Sequence, residues 1–308
     1  MKIGVQTSGV VDVFGVEKGY AMIREAGFQT IDWDIFDSYD VNTAYRGEGK
    51  SELTADKMEK MFQEEVSAIV KNGLEIEQIH AHFPSYRADD PTWMEYSIDL
   101  HRNLIAYAEK VGAKYVVVHG ITCKNKENKT DEEIRNLNLQ LYAALIPALQ
   151  QHPSITVCME NLVKTENSVI IDGVCCDARE VNDYIDTLNQ MAGREAFGFC
   201  LDTGHFRLLR RDFRTFVPII GNRLKCLHLH DNMGDRDDAH LAPLTGGIYW
   251  VNLCDSLQKI GYSGVLNFEA FAQLYRVGTF DASLVSVWLK LLHACGEAFA
   301  KKMGGESK

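Results

Sequence analysis

The feature that most constrains this chain is an alternation of short apolar runs with amphipathic segments, sustained from one end to the other. The runs KIGVQT (2–7), TIDWDIF (30–36), EIEQIHAHF (75–83), YVVVHG (115–120), TVCMEN (156–161), FGFCLD (197–202), LKCLHLHD (224–231) and GVLNFEAF (264–271) read as strands. Each precedes a helical pattern: Val16–Ala26, Leu53–Lys71, Thr92–Val111, Asp131–Gln151, Asp177–Met191, Asp212–Ile220, Val251–Ile260 and Ala282 to about Lys302. Gly27, Asn72-Gly73 and Gly112 supply helix stops, and Asp or Thr often opens a helix as its N-cap. Near-continuous apolar strands joined by helical crossovers require a parallel sheet covered on both faces. Eight such units in a chain of this length predict an α/β fold, a (β/α)8 TIM barrel, as a single domain over residues 1–308. A doubly wound open sheet is the alternative, but the first strand-to-helix turn has no glycine-rich phosphate loop.

Composition narrows the function classes. A net charge of −11 argues against a nucleic-acid surface, though it leaves room for a local basic patch. No apolar run approaches the ~18 residues needed to span a bilayer. The N-terminal MKIGVQTSGV enters a strand pattern directly, without a signal-peptide core, so a cytoplasmic location is expected. Of the 8 cysteines, Cys158, Cys200 and Cys226 fall inside expected buried strands, and no CxxC pair occurs. Reduced thiols are therefore expected.

Four strands end in a residue able to hold a metal: Glu160, Asp202, His228 and Glu269. Side chains alternate along a strand. If these four point inward, Cys158, Cys200, Cys226 and Asn267 lie beneath them as a layer of small side chains, while Val157 and Met159 face the helices. Three carboxylates and one imidazole suit a divalent cation such as Mn, Zn, Mg or Co, and the lack of thiolate ligands argues against a closed structural zinc site. Long loops follow the strand ends at 37–52, 84–91, 121–130, 162–176 and 232–250, where this fold keeps its active sites.

Further polar groups gather at the same end. His80 and His82 share a phase on the third strand, His119 ends the fourth, His205 follows Asp202, and Asp238 and His240 lie in the seventh loop. His80 reads equally well as a core residue. Asp32 and Asp34 share a phase on the second strand; Asp34 is a pocket-lining candidate, with capping or an ion pair as the alternative. Arg207, Arg210, Arg211 and Arg214 form a basic cluster past the sixth strand, suited to a phosphate or to a solvated helix face. Arg236 is another candidate for a substrate hydroxyl or phosphate.

Taken as a set, CMEN, LDTGH, HLHD followed by DDAHLAPLTGG, and GYSGVLNFEAF resemble the sugar phosphate isomerase/epimerase superfamily. This is the xylose isomerase-like TIM-barrel group, which also contains endonuclease IV and ketose 3-epimerases. The similarity spans essentially the whole chain. It implies that Glu160, Asp202, His228 and Glu269 bind one divalent metal and that His205 contacts substrate oxygen. The endonuclease branch holds additional zinc ions through histidines on strands three and four and an Asp-x-His in the seventh loop. His82, His119 and the Asp238–His240 pair match those places.

The activity so implied is a metal-dependent epimerase or isomerase of a ketose or related sugar. The metal acidifies a C–H beside the carbonyl and stabilises an enediolate, while Glu160 and Glu269 move the proton. His82, His119, His205, Arg236, Asp238 and His240 are the expected substrate contacts. The expected partner is a small sugar or sugar phosphate, within a monomer or homo-oligomer. An abasic-site nuclease with several zinc ions and an inosose-type dehydratase remain alternatives; the acidic net charge opposes the nuclease.

Overall fold

The computed structural model describes residues 1–123, 129–235 and 237–304, the side chains of residues 37 and 38 excepted. Among the described residues there are ten strands: β1 (Ile3–Gln6), β2 (Thr30–Trp33), β3 (Glu75–His80), β4 (Tyr115–Val118), β5 (Thr156–Glu160), β6 (Val163–Glu166), β7 (Val169–Asp172), β8 (Phe197–Asp202), β9 (Leu224–His228) and β10 (Leu266–Phe268). Eight of them form one parallel sheet in the order β10-β1-β2-β3-β4-β5-β8-β9, and β6 and β7 pair antiparallel in the loop after β5. The sheet closes where Leu229 N–H donates to Asn267 O at 2.9 Å and Glu269 N–H donates to Leu229 O at 3.1 Å. The fold is the expected TIM barrel with its helices outside. Among the described residues no helix is long and apolar enough to cross a membrane.

Several expected boundaries move. The second, third, seventh and eighth barrel strands stop at Trp33, His80, His228 and Phe268, each three residues early. Within two residues of two of those points the backbone turns to side-chain partners: Asp34 N–H donates to Thr7 Oγ1 at 3.1 Å, and His230 N–H to Thr203 Oγ1 at 3.0 Å. The helix expected over 53–71 is two, Ala55–Met61 and Gln63–Lys71, because the chain kinks at Phe62, whose buried ring meets Trp33 edge-on at 5.7 Å. The helix expected over 131–151 divides into Asp131–Ala143 and Ile146–Gln151. Pro147 explains that break: its nitrogen cannot donate and its ring would clash with the carbonyl four residues back. Short helices not anticipated follow β8 (Thr203–Leu208) and β10 (Phe271–Phe280).

Inside the barrel, Val117, Cys158, Cys200 and Cys226 pack as a cluster of their own with Tyr115 beside it, separate from the main core between sheet and helices. All 8 cysteines are buried and none is in a disulfide. Asn267 also faces in, but its Nδ2 donates to Asp32 Oδ2 at 3.2 Å, so it belongs to a polar group rather than to the thiols.

Candidate active site

The C-terminal ends of the strands place Glu160 and Glu269 on either side of His228. The imidazole Nδ1 lies 3.4 Å from Glu160 Oε2 and 3.1 Å from Glu269 Oε2, while Nε2 points down toward Asp32 Oδ2 at 3.2 Å. Asp202 pairs in register with His228 on the neighbouring strand and caps the helix Thr203–Leu208, its Oδ1 accepting from His205 N–H at 2.6 Å. One side chain locks that strand end: Asn161 Nδ2 donates to Asp202 O at 2.9 Å and Asp202 N–H donates to Asn161 Oδ1 at 2.8 Å. Asn161 thus fixes the backbone from which Asp202 points.

Histidines fence Glu160. Its Oε2 is 3.0 Å from His119 Nε2 and 3.9 Å from His80 Nε2, and its Oε1 is 3.3 Å from His205 Nδ1. On the far side His205 Nε2 reaches Asp238 Oδ2 at 3.1 Å, and His240 Nε2 reaches the same oxygen at 3.3 Å. The seventh loop brings these two residues in because Asp231 anchors it. Its carboxylate accepts from Ile248 N–H at 3.0 Å and Trp250 Nε1 at 2.8 Å, and its backbone pairs with Leu241. Gly246 is required there, since a Cβ would sit 2.4 Å from Asp231 Oδ1.

His230 was not anticipated. It is fully buried, its Nε2 lies 2.7 Å from Asp202 Oδ2, and its ring stacks on His240 at 3.9 Å. Gly204 makes room for it, as a Cβ there would fall 1.9 Å from the ring. The signal was available, because His230 shares the phase of His228 two residues earlier.

His82 stands apart from the carboxylate cluster but lines the cavity beside it. β3 ends before it, and its ring packs between Phe36 and Trp93 in a cavity of about 390 Å³ also lined by His80, Asp34, Phe271 and Tyr275. Burial pushes its pKa down to about 3, so it stays neutral. His80, left open by the sequence, is the third-strand histidine that stands with His119 and Glu160. Asp34 lines the same cavity and accepts from Ser8 Oγ at 3.3 Å. Arg236 lies outside the described residues.

The electrostatics are those of a buried cluster rich in both signs. Burial opposes the charge on Glu160, but the His119 and His228 imidazoles and the hydrogen bonds from His119 and His205 outweigh it and hold the carboxyl well below the usual range. Glu269 is likewise lowered against burial, chiefly by His228. Burial opposes protonation of His205 and His228, yet Asp202, Asp238 and Glu160 raise the first, and Cys200, Glu269 and Glu160 raise the second. His240 rises to about 9 because Asp238 and Glu269 outweigh its desolvation.

Such an assembly is costly unless a cation completes it. Glu160, Asp202 and Glu269 are nearly or fully buried, and neither ring nitrogen of the fully buried His228 has a hydrogen bond of good geometry. Candidate donor atoms also group within 4.8 Å of one another as Glu160, Asp202 and His205, and as His80, His228 and Glu269. Hard oxygens with imidazole nitrogens fit a divalent metal.

Fold and strand-end donors together define the class: the chain belongs to the xylose isomerase-like TIM barrel family, whose profile matches residues 20–284. Within it, the chain is 24% identical over 279 residues to a ketose 3-epimerase of Arthrobacter globiformis, covering 88% of this chain and 84% of that one. It is 22% identical over 201 residues to a probable endonuclease 4 of Mycoplasma pneumoniae, covering 61% and 60% of the two chains. Among solved structures, the IOLI protein with a binding zinc atom superposes with a TM-score of 0.70 at 16% identity, over 98% of this chain and 99% of that one.

Proposed function

We propose that this protein is a divalent-metal-dependent epimerase or isomerase of a ketose or related sugar, acting by proton transfer at the carbon beside a carbonyl. The observation that carries the reading is the placement of two buried carboxylates, Glu160 and Glu269, on either side of His228 Nδ1. Chemistry that removes a proton from one face of a carbon and returns it to the other needs two such groups. The longer and better-covered similarity to a ketose 3-epimerase supports the same choice.

Glu160, Asp202, His228 and Glu269 would hold the metal, which supplies Lewis acidity to the substrate carbonyl. The chain's own groups account for the rest. Glu160 and Glu269 are held ionised and would act as the two bases. His119 and His205 keep Glu160 charged and turned to the centre, and Gln6 Nε2 does so for Glu269 Oε1 at 3.2 Å. His205, His240 and Asp238 offer contacts for sugar hydroxyls, and the cavity bounded by Asp34, His80, Phe36 and Phe271 receives the remainder of the sugar while its aromatic walls exclude water.

A second reading rests on the His80–His119–Glu160 group and on the approach of His205 and His240 to Asp238, an arrangement with room for more than one ion, as an abasic-site nuclease would need. Elemental analysis of protein purified without added metal separates the two. About one ion per chain is expected; about three, with incision of an abasic-site duplex, would replace the sugar reading. The sugar reading itself is tested by turnover of a ketose panel in D₂O, with deuterium expected on the epimerised carbon. Full retention of the substrate hydrogen would remove the proton-transfer step.

A further inference from the structure

A cavity of about 370 Å³ lies between the segment that follows the helix Thr203–Leu208 and the start of the helix Trp250–Lys259. Four arginines line it, Arg207, Arg210, Arg211 and Arg214. Two are already neutralised: Arg211 by Asp172, and Arg214 by Asp212 at 2.8 Å. Among the described residues, neither Arg207 nor Arg210 has a carboxylate within ion-pair distance. In a chain of net charge −11 two unpaired arginines side by side stand out.

Arg207 is also built in. Its guanidinium lies against two glycines, and a Cβ at Gly234 or Gly247 would come within 2.8 or 2.6 Å of it. Its Nε is buried without a hydrogen-bond partner, and its Nη2 reaches only Met233 O, at 3.5 Å. Arg207 is two residues past His205, roughly 200° further around the helix, so the cavity faces away from the carboxylate–histidine cluster.

We propose that this cavity binds a phosphate monoester group, held by Arg207 and Arg210. Two guanidinium forks match a tetrahedral dianion with several acceptor oxygens better than a planar monoanion. The proposal stands apart from the epimerase reading, because binding can be measured without turnover.

The experiment titrates the metal-loaded chain with inorganic phosphate at physiological salt, followed by calorimetry. Saturable binding at one site is expected, weakened at least ~10-fold by Arg207→Gln and by Arg210→Gln. Lys225→Gln, at the opposite mouth of the barrel, should leave it unchanged. Arg210 is exposed, so R210Q carries the test if R207Q does not fold. The absence of saturable binding, an R207Q/R210Q double variant with wild-type affinity, or malonate binding as tightly as phosphate would each overturn the proposal. The source of the phosphate is read separately. Phosphate that competes with a phosphorylated ketose, but not with the free ketose, places the group on the substrate. Phosphate that binds without competing places it on a second ligand. The site stands in both cases, and it stands if no ketose is turned over.

Discussion

Beneath the site, the two halves of the barrel interior are built differently at nearly the same depth. Strands β4, β5, β8 and β9 contribute Val117, Cys158, Cys200 and Cys226, which pack on one another. Burial raises Cys158 and Cys226 well above an ordinary thiol, so they fill space without charge. Strands β1, β2, β3 and β10 contribute Gln6, Asp32, Gln78 and Asn267. Gln78 Nε2 donates to Asp32 Oδ2 at 2.8 Å, Asn267 Nδ2 donates to the same oxygen at 3.2 Å, and His228 Nε2 stands 3.2 Å from it. One half supports by bulk and the other by oriented polar contacts. The polar half is the one that faces His228 from below. If His228 Nδ1 holds a metal as proposed, its other nitrogen needs a fixed acceptor, whereas Glu160, above the thiols, is already steered by histidines at its own level.

The largest effects should come from the two carboxylates, one above each half. Glu160→Gln and Glu269→Gln keep size and remove the base. Each should lower turnover at least ~10²-fold in protein that still holds metal, with metal content measured alongside activity. Near-normal turnover in a metal-loaded Gln variant of either would leave that residue as a ligand alone, and the symmetry of the two halves around His228 would be lost.

Next in size is Asp32→Asn, which keeps the shape of the polar half but removes its charge. We expect metal affinity to fall ~10- to 100-fold, read by chelator competition and independent of any substrate. The ¹⁵N shifts of His228 should show a changed tautomer population in the same variant. Unchanged affinity would reduce Asp32 to a packing residue and make the two halves equivalent.

How far the sequence could be read follows the same division. Barrel order and inward phase were legible because alternation is a local property, and the strand-end residues Glu160, Asp202, His228 and Glu269 are brought together by it. Strand ends were read too long at 34–36, 81–83, 229–231 and 269–271, since apolar letters continue after the ladder has been abandoned. His82 illustrates the consequence: its phase matches His80, but the strand that gives phase a meaning has ended. His230 shows the converse, an inward residue passed over because His228 had filled the role. The kink at Phe62 carries no glycine or proline and depends on a tertiary contact with Trp33, whereas Pro147 was a visible signal for the other helix break. The polar contacts of Asp32 with Gln78 and Asn267 cross 46 and 235 residues of sequence, and no local pattern encodes them.

The smallest effects should come from the thiol half, and they bear on whether it is only filler. Native protein should resist thiol labelling at Cys158, Cys200 and Cys226, while unfolded protein labels all 8 cysteines. Cys158→Ala and Cys226→Ala should each cost roughly 1–2 kcal/mol through a small cavity, a few degrees in Tm, and leave metal affinity alone. Cys200 is the informative position, because its sulfur groups with Glu160 and His228 within 4.8 Å. If the half is passive, Cys200→Ala matches the other two in stability and in metal affinity. If Cys200→Ala instead weakens metal binding as Asp32→Asn does, the sulfur takes part in holding the ion. A preference for thiophilic metals such as cadmium, lost in that variant, would then follow, and the contrast between the halves would narrow to Cys158, Cys226 and Val117.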